Sequence, residues 1–164
     1  MPVLEWIQNL PLSTSIAESD SIWWGYAWWL FVHALGMGLT AGVGFIVCLR
    51  LLGVGRQIPL SSLGVLFRLL WVGFYLNLLS GTLLFMTDAT GIARVWELYA
   101  KLGCLGLALV LMTRLRRFVE SGRGDEMIPA TITKMAYACI VLWLAVITSG
   151  RLIAYAVEAN GAKL

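Results

Sequence analysis

From Ile22 to Leu52 the chain runs through one apolar stretch, with Arg50 near its end as the sole charged residue. His33, near its middle, is the only histidine of the protein. A run of that length reads as a membrane-spanning helix, which satisfies its own backbone groups in hydrocarbon. Trp23-Trp24 and Trp28-Trp29 mark one end as an aromatic belt, and Arg50 marks the other. At 1.5 Å per residue the run exceeds a ~30 Å hydrocarbon core, so the helix tilts or protrudes. A titratable ring at the centre of such a helix is costly to keep, and by default it points to function.

Three more apolar runs follow. The sequence predicts an all-α, integral membrane four-helix bundle, one domain over 1–164, with helices over about 22–52, 60–86, 95–113 and 132–157. Composition agrees: 60% of the 164 residues are hydrophobic and 13% are charged, against about 25% charged in soluble domains. A net charge of +3, scattered along the chain, gives no nucleic-acid footprint. Before the first span, Trp6, Ile7 and Leu10 predict a short interfacial helix that Pro11 ends. Asp20 or Ser21 is then expected to cap the first span. The N-terminal segment lacks a basic n-region, so the first span is expected to act as its own insertion signal. Turns are expected over Gly53–Pro59 and Thr87–Gly91, and a loop over Arg114–Pro129 that holds a Gly-Asp-Glu turn. Short connections predict antiparallel neighbours.

Counting along the helices gives depth. His33 is about 15 Å past Trp23, near the midplane, and Asn77 lies at a similar depth before Thr87. Lys101 and Arg151 fall roughly 9 Å inside the outer edge of their spans, the edge from which those depths are counted. A Lys and an Arg at one level above a His and an Asn at another predict a polar site that opens towards the end where the chain begins. On the helical repeat, the His33 face runs through Gly36, Met37, Thr40 and Gly44 and back through Trp29 and Tyr26; the Asn77 face runs through Ser80 and Gly81. Two small-residue faces at one depth either pack together, with Gly38-xxx-Gly42 as a close contact, or share a flat guest.

Imidazole is a common haem and metal ligand and also relays protons. His33 is therefore the expected metal-binding residue, with Gly36, Met37, Thr40, Asn77, Lys101 and Arg151 as further cofactor-binding residues. The bland alternative is a structural histidine bonded to Asn77. A single histidine excludes a bis-His haem within one chain; Met37 shares a helix with His33, and Met86 is too shallow to serve as its partner. Lys101 has Glu97 four residues before it, the order for a helical ion pair, or it and Arg151 hold an anionic group such as a propionate, a quinone oxygen or a carboxylate. No acidic residue shares the depth of His33, which argues against Ser/His/Asp chemistry. Cys48, Cys104 and Cys139 are isolated in apolar runs, without a CxxC pair.

Several segments together resemble a family of small uncharacterised bacterial four-helix membrane proteins: LEWIQNLPLSTSI near the N-terminus, His33-Ala34-Leu35-Gly36 with Gly42, Leu49-Arg50-Leu51-Leu52-Gly53, Trp71-Val72-Gly73-Phe74, Gly81 to Phe85, and Lys101. The likeness covers most of residues 3–113. Cys48 stands where that family often carries an acidic residue. The plan of a histidine in the first helix and a lysine in the third is also similar to the HemJ-type protoporphyrinogen oxidases and, more loosely, to CopD-like copper-resistance proteins. The HemJ-type resemblance implies His33 as a haem b ligand and Lys101 as a functional lysine; the further histidines of that family are missing here.

The expected function is a haem b-binding redox protein with His33 as axial ligand, transferring electrons to or from a quinone or a periplasmic partner, or acting on a porphyrin. The alternatives are an accessory or homo-oligomeric scaffold subunit of a larger membrane complex, and a CopD-like metal-handling protein. The expected location is a bacterial inner membrane. Eight basic residues on one side (Arg50, Arg56, Arg68, Arg114, Arg116, Arg117, Arg123, Lys134) against four on the other (Arg94, Lys101, Arg151, Lys163) place both termini in the periplasm.

Overall fold

The computed structural model describes residues 2–122 and 128–160, and every regular element among them is helical. Helices α1 (Pro2–Gln8) and α2 (Pro11–Ala17) precede α3 (Tyr26–Met37). A five-residue π-turn, Gly38–Gly42, joins α3 to α4 (Val43–Leu51). Then come α5 (Leu63–Thr87), the short α6 (Ala89–Ile92), α7 (Trp96–Glu120) and α8 (Ala130–Ala159). Four segments are long and apolar enough to cross a membrane: Tyr26–Leu51, Leu60–Thr87, Trp96–Glu120 and Ala130–Ala159. These are the first to fourth spans of an all-α membrane bundle. The chain enters and leaves at one end, the termini end. The other end carries Arg50, Arg56, Arg68, Arg114, Arg116, Arg117 and Lys134 and is called the arginine end. Arg123, Lys163 and the Gly-Asp-Glu turn lie outside the described residues.

Several boundaries differ from expectation. The first span begins at Tyr26, not Ile22, because the chain doubles back through Ser21–Gly25. A side chain on Gly25 would lie 2.5 Å from the Ser19 carbonyl oxygen and 2.9 Å from that of Ser21. Gly25, not Asp20 or Ser21, occupies the cap position, and the Ser21 hydroxyl accepts from the Trp23 N–H instead. Pro11 starts α2 rather than ending the segment, since its fixed φ suits a first helical turn. The third span runs on to Glu120, past Thr113, and Arg116 donates to Glu120 at 2.7 Å one turn on. The Thr87–Gly91 turn winds into α6, where Asp88 Oδ1 accepts from the Gly91 N–H at 3.1 Å. The Gly53–Pro59 link is the expected turn: Gly53 and Gly55 take positive φ, and Arg50 donates to the carbonyls of Ile58 and Arg56.

The N-terminal helices dock on the bundle. Ser13 donates to the Met86 carbonyl at 2.7 Å, and Gln8 Oε1 accepts from the Thr90 hydroxyl and N–H. Ile16 is fully buried there.

Packing is uneven along the bundle. The first and second spans meet through backbone, because a side chain on Gly36 would stand 2.8 Å from the Asn77 nitrogen, and one on Gly73 2.8 Å from the Thr40 nitrogen. At the arginine half, α4 packs on α8, with Gly44 against the ring of buried Trp143. The core of Val47, Phe67, Leu70, Met112, Leu115 and Cys139 fills this half. Towards the termini end, α3 packs on α5 and α7 on α8, and α3 and α8 part. Gly38 and Gly42, expected as a close-packing pair, have nothing within 4 Å of an added side-chain atom; the contact belongs to Gly36 and Gly73.

Candidate functional site

Where α3 and α8 part, a cavity of about 820 Å³ opens between all four spans. Its lining is mostly apolar, from Leu30, Leu84, Phe85 and Ile153 near the termini end to Ala41 and Phe45 deeper in. His33, Lys101 and Arg151 supply its basic groups, and Met37 lines it too. Gly38 and Gly42 bare the helix backbone on one wall, within the π-turn. A single π-turn in a long helix often marks a functional position, since it rotates the side chains that follow.

The imidazole is held in one orientation. Gly81 leaves it room: a side-chain atom there would stand 2.9 Å from His33 Cε1. His33 Nδ1 lies 3.1 Å from Ser80 Oγ, and the Ser80 hydroxyl donates to the Leu76 carbonyl at 2.6 Å. That single hydroxyl hydrogen is thereby used, so Nδ1 carries the proton and donates to Ser80. The neutral ring then keeps its lone pair on Nε2, and Lys101 Nζ donates to it at 3.3 Å.

Lys101 reaches this position because Gly150 on the fourth span leaves space behind it, 3.3 Å from where a side chain would begin. Its ammonium has three donors and one side-chain acceptor, His33 Nε2. Among the described residues no Glu97–Lys101 ion pair forms, so the first of the two alternatives their spacing left open is not made, and Glu97 Oε2 is buried without a partner. Arg151 donates to the Tyr155 hydroxyl at 3.2 Å and lies over that ring at 5.1 Å; no carboxylate of the described residues meets it.

The expected site residues therefore divide. His33, Met37, Lys101 and Arg151 share the cavity. Gly36, Thr40 and Asn77 do not: they sit in the seam between the first and second spans, where Thr40 donates to the Gly36 carbonyl at 2.7 Å. Asn77 donates to the backbone carbonyl of His33 at 2.9 Å, not to its ring. The separation of Lys101 and His33 into two levels is also corrected, because the long lysine side chain brings the ammonium to the imidazole. The sequence marks Ser80 as a member of the small-residue face of Asn77 at the depth of His33, but not as the ring's partner, and it marks Gly150 only as the neighbour of Arg151, not as the lysine's backing. No three His, Cys, Asp or Glu side chains gather among the described residues, and of these types His33 alone is among the residues that line the cavity.

No protein-family model, characterised protein or solved structure matches this chain.

Proposed function

We propose that this chain is a membrane-embedded binding protein for an amphipathic guest, with the apolar body in the cavity and an electron-rich head on Lys101 and His33. One observation carries the reading. An ammonium held inside a membrane bundle, with a neutral imidazole as its side-chain partner, faces a large apolar space. Buried charges are normally paired, and ionisable groups within spans are normally functional. The cavity has the volume of a small-molecule site, roughly 300–1,000 Å³. A guest with an acceptor oxygen or an anionic head supplies what Lys101 lacks.

A second reading makes the guest haem b, with His33 as axial ligand, and keeps the expected redox role with a quinone or periplasmic partner. The Ser80 bond favours it, because it leaves the Nε2 lone pair towards the cavity. Lys101 stands at that nitrogen, so the residues fit a haem once its side chain swings aside. His33 would then hold the iron, and Lys101 and Arg151 the propionates. Bound there, the haem would supply one-electron transfer.

Both readings place the protein in a bacterial inner membrane with its termini end periplasmic. The experiment is solvent extraction of the purified protein, wild type and Lys101→Met, with mass and optical spectra of the extracts. A stoichiometric amphiphile lost from Lys101→Met is the expected result. A Soret band lost in His33→Ala would favour haem, and extracts without a guest from both proteins would defeat both readings.

A further inference from the structure

We infer that the guest is a long-chain carboxylate, a fatty acid or an acid of similar shape, which enters sideways from the bilayer between the first and fourth spans. This rests on the reading of the cavity as an amphiphile site and narrows it to one chemical class.

Shape is the first ground. On the first span the cavity wall runs from Tyr26 to Phe45, about 28 Å at the helical rise. It is a long groove rather than a compact chamber. From His33 to Phe45 it continues for about 18 Å, past Gly38 and Gly42, whose missing side chains leave a smooth floor. An extended alkyl chain suits that path, and each buried methylene adds about 0.8 kcal/mol of transfer free energy.

The mouth is the second. Ala34 and Gly38 on the first span, and Ile147 and Arg151 on the fourth, line the cavity and are exposed. Because α3 and α8 part here, the proposed entry lies between these residues, at the depth of the lipid chains. Arg151 at this lip is the first cation an arriving acid meets, and Lys101 lies within.

Charge and size are the third. Lys101 and Arg151 face one cavity without a carboxylate partner among the described residues. A neutral quinone would leave both charges uncompensated. A phospholipid headgroup would have to be drawn down to the level of His33 together with its glycerol and second chain. A carboxylate brings one negative charge and two acceptor oxygens in three atoms, enough for the two free donors of Lys101.

The test uses a palmitate with a photoreactive diazirine in its chain, and its methyl ester, on the purified full chain in mild detergent. The acid should label the segment Gly38–Phe45, and the ester should label it about tenfold less. Lys101→Met should reduce labelling by the acid by a similar factor, and Lys101→Arg should restore it to within a few-fold. Should Lys101→Met fail to fold, the comparison of acid with ester on the wild type decides alone. Equal labelling by acid and ester, or labelling indifferent to Lys101→Met, would overturn the carboxylate while leaving an amphiphile site in place. Labelling that avoids the cavity-lining segments with both probes would overturn the carboxylate and the amphiphile site together.

Discussion

At the scale of single residues, a short polar chain organises the site: Leu76 carbonyl, Ser80 hydroxyl, His33 ring, Lys101 ammonium. Each member fixes the next. The serine hydrogen is spent on a helix carbonyl, which fixes the tautomer of the ring, and the ring's remaining lone pair receives the lysine. Nitrogen-15 spectra of the labelled histidine should therefore show a protonated Nδ1 and an unprotonated Nε2. Ser80→Ala removes the acceptor and should mix the two tautomers, with a loss of about 1 kcal/mol in unfolding free energy. A ring protonated at Nε2 in the wild type would contradict this order of bonds. His33 and Lys101 were each legible in the sequence, because an ionisable residue inside an apolar run is rare. Their contact was not. Depth counted along two helices locates Cα atoms, and it omits the reach of a lysine side chain across the bundle.

At the scale of elements, two kinds of glycine have opposite roles on one span. Gly36 is pressed against the backbone of the second span, which cannot yield. Gly36→Ala should thus cost about 1–3 kcal/mol through overpacking. Gly38 faces open space, so Gly38→Ala should leave stability unchanged or raise it by up to about 1 kcal/mol through helix propensity. Thermal unfolding of the two variants in one detergent measures the difference; equal losses would show that the glycines are not divided in this way. The four spans were readable from hydropathy alone. Their ends were less so, because charge does not end a helix: Arg114, Arg116 and Arg117 continue α7 beyond the apolar run. The small-residue stripe was also visible, but periodicity alone cannot say which glycines meet a neighbour. The π-turn at Gly38–Gly42 shifts the register midway, so Met37 stays with His33 on the cavity while Thr40 turns to the seam.

At the scale of the whole molecule, the bundle is closed at one half and parted at the other. Trp143 seated on Gly44 anchors the closed half, and the parted half holds the cations. Lys101 and Arg151 line the cavity, so they are not loop charges for topology. Among the described residues the bias then becomes the seven basic residues of the arginine end against Arg94. That sharpens the expected orientation. In intact cells an impermeant thiol reagent should reach Asp20→Cys and should reach Ser121→Cys only after permeabilisation; the reverse pattern would invert the topology.

The most direct measurement is an electron-density map of the protein crystallised as purified from its membrane in mild detergent. Elongated density is expected between the first and fourth spans, with its head within hydrogen-bonding distance of Lys101 Nζ. A map in which Phe45, Leu84 and Phe85 close over the gap, with Lys101 touching only neighbouring side chains, would contradict it.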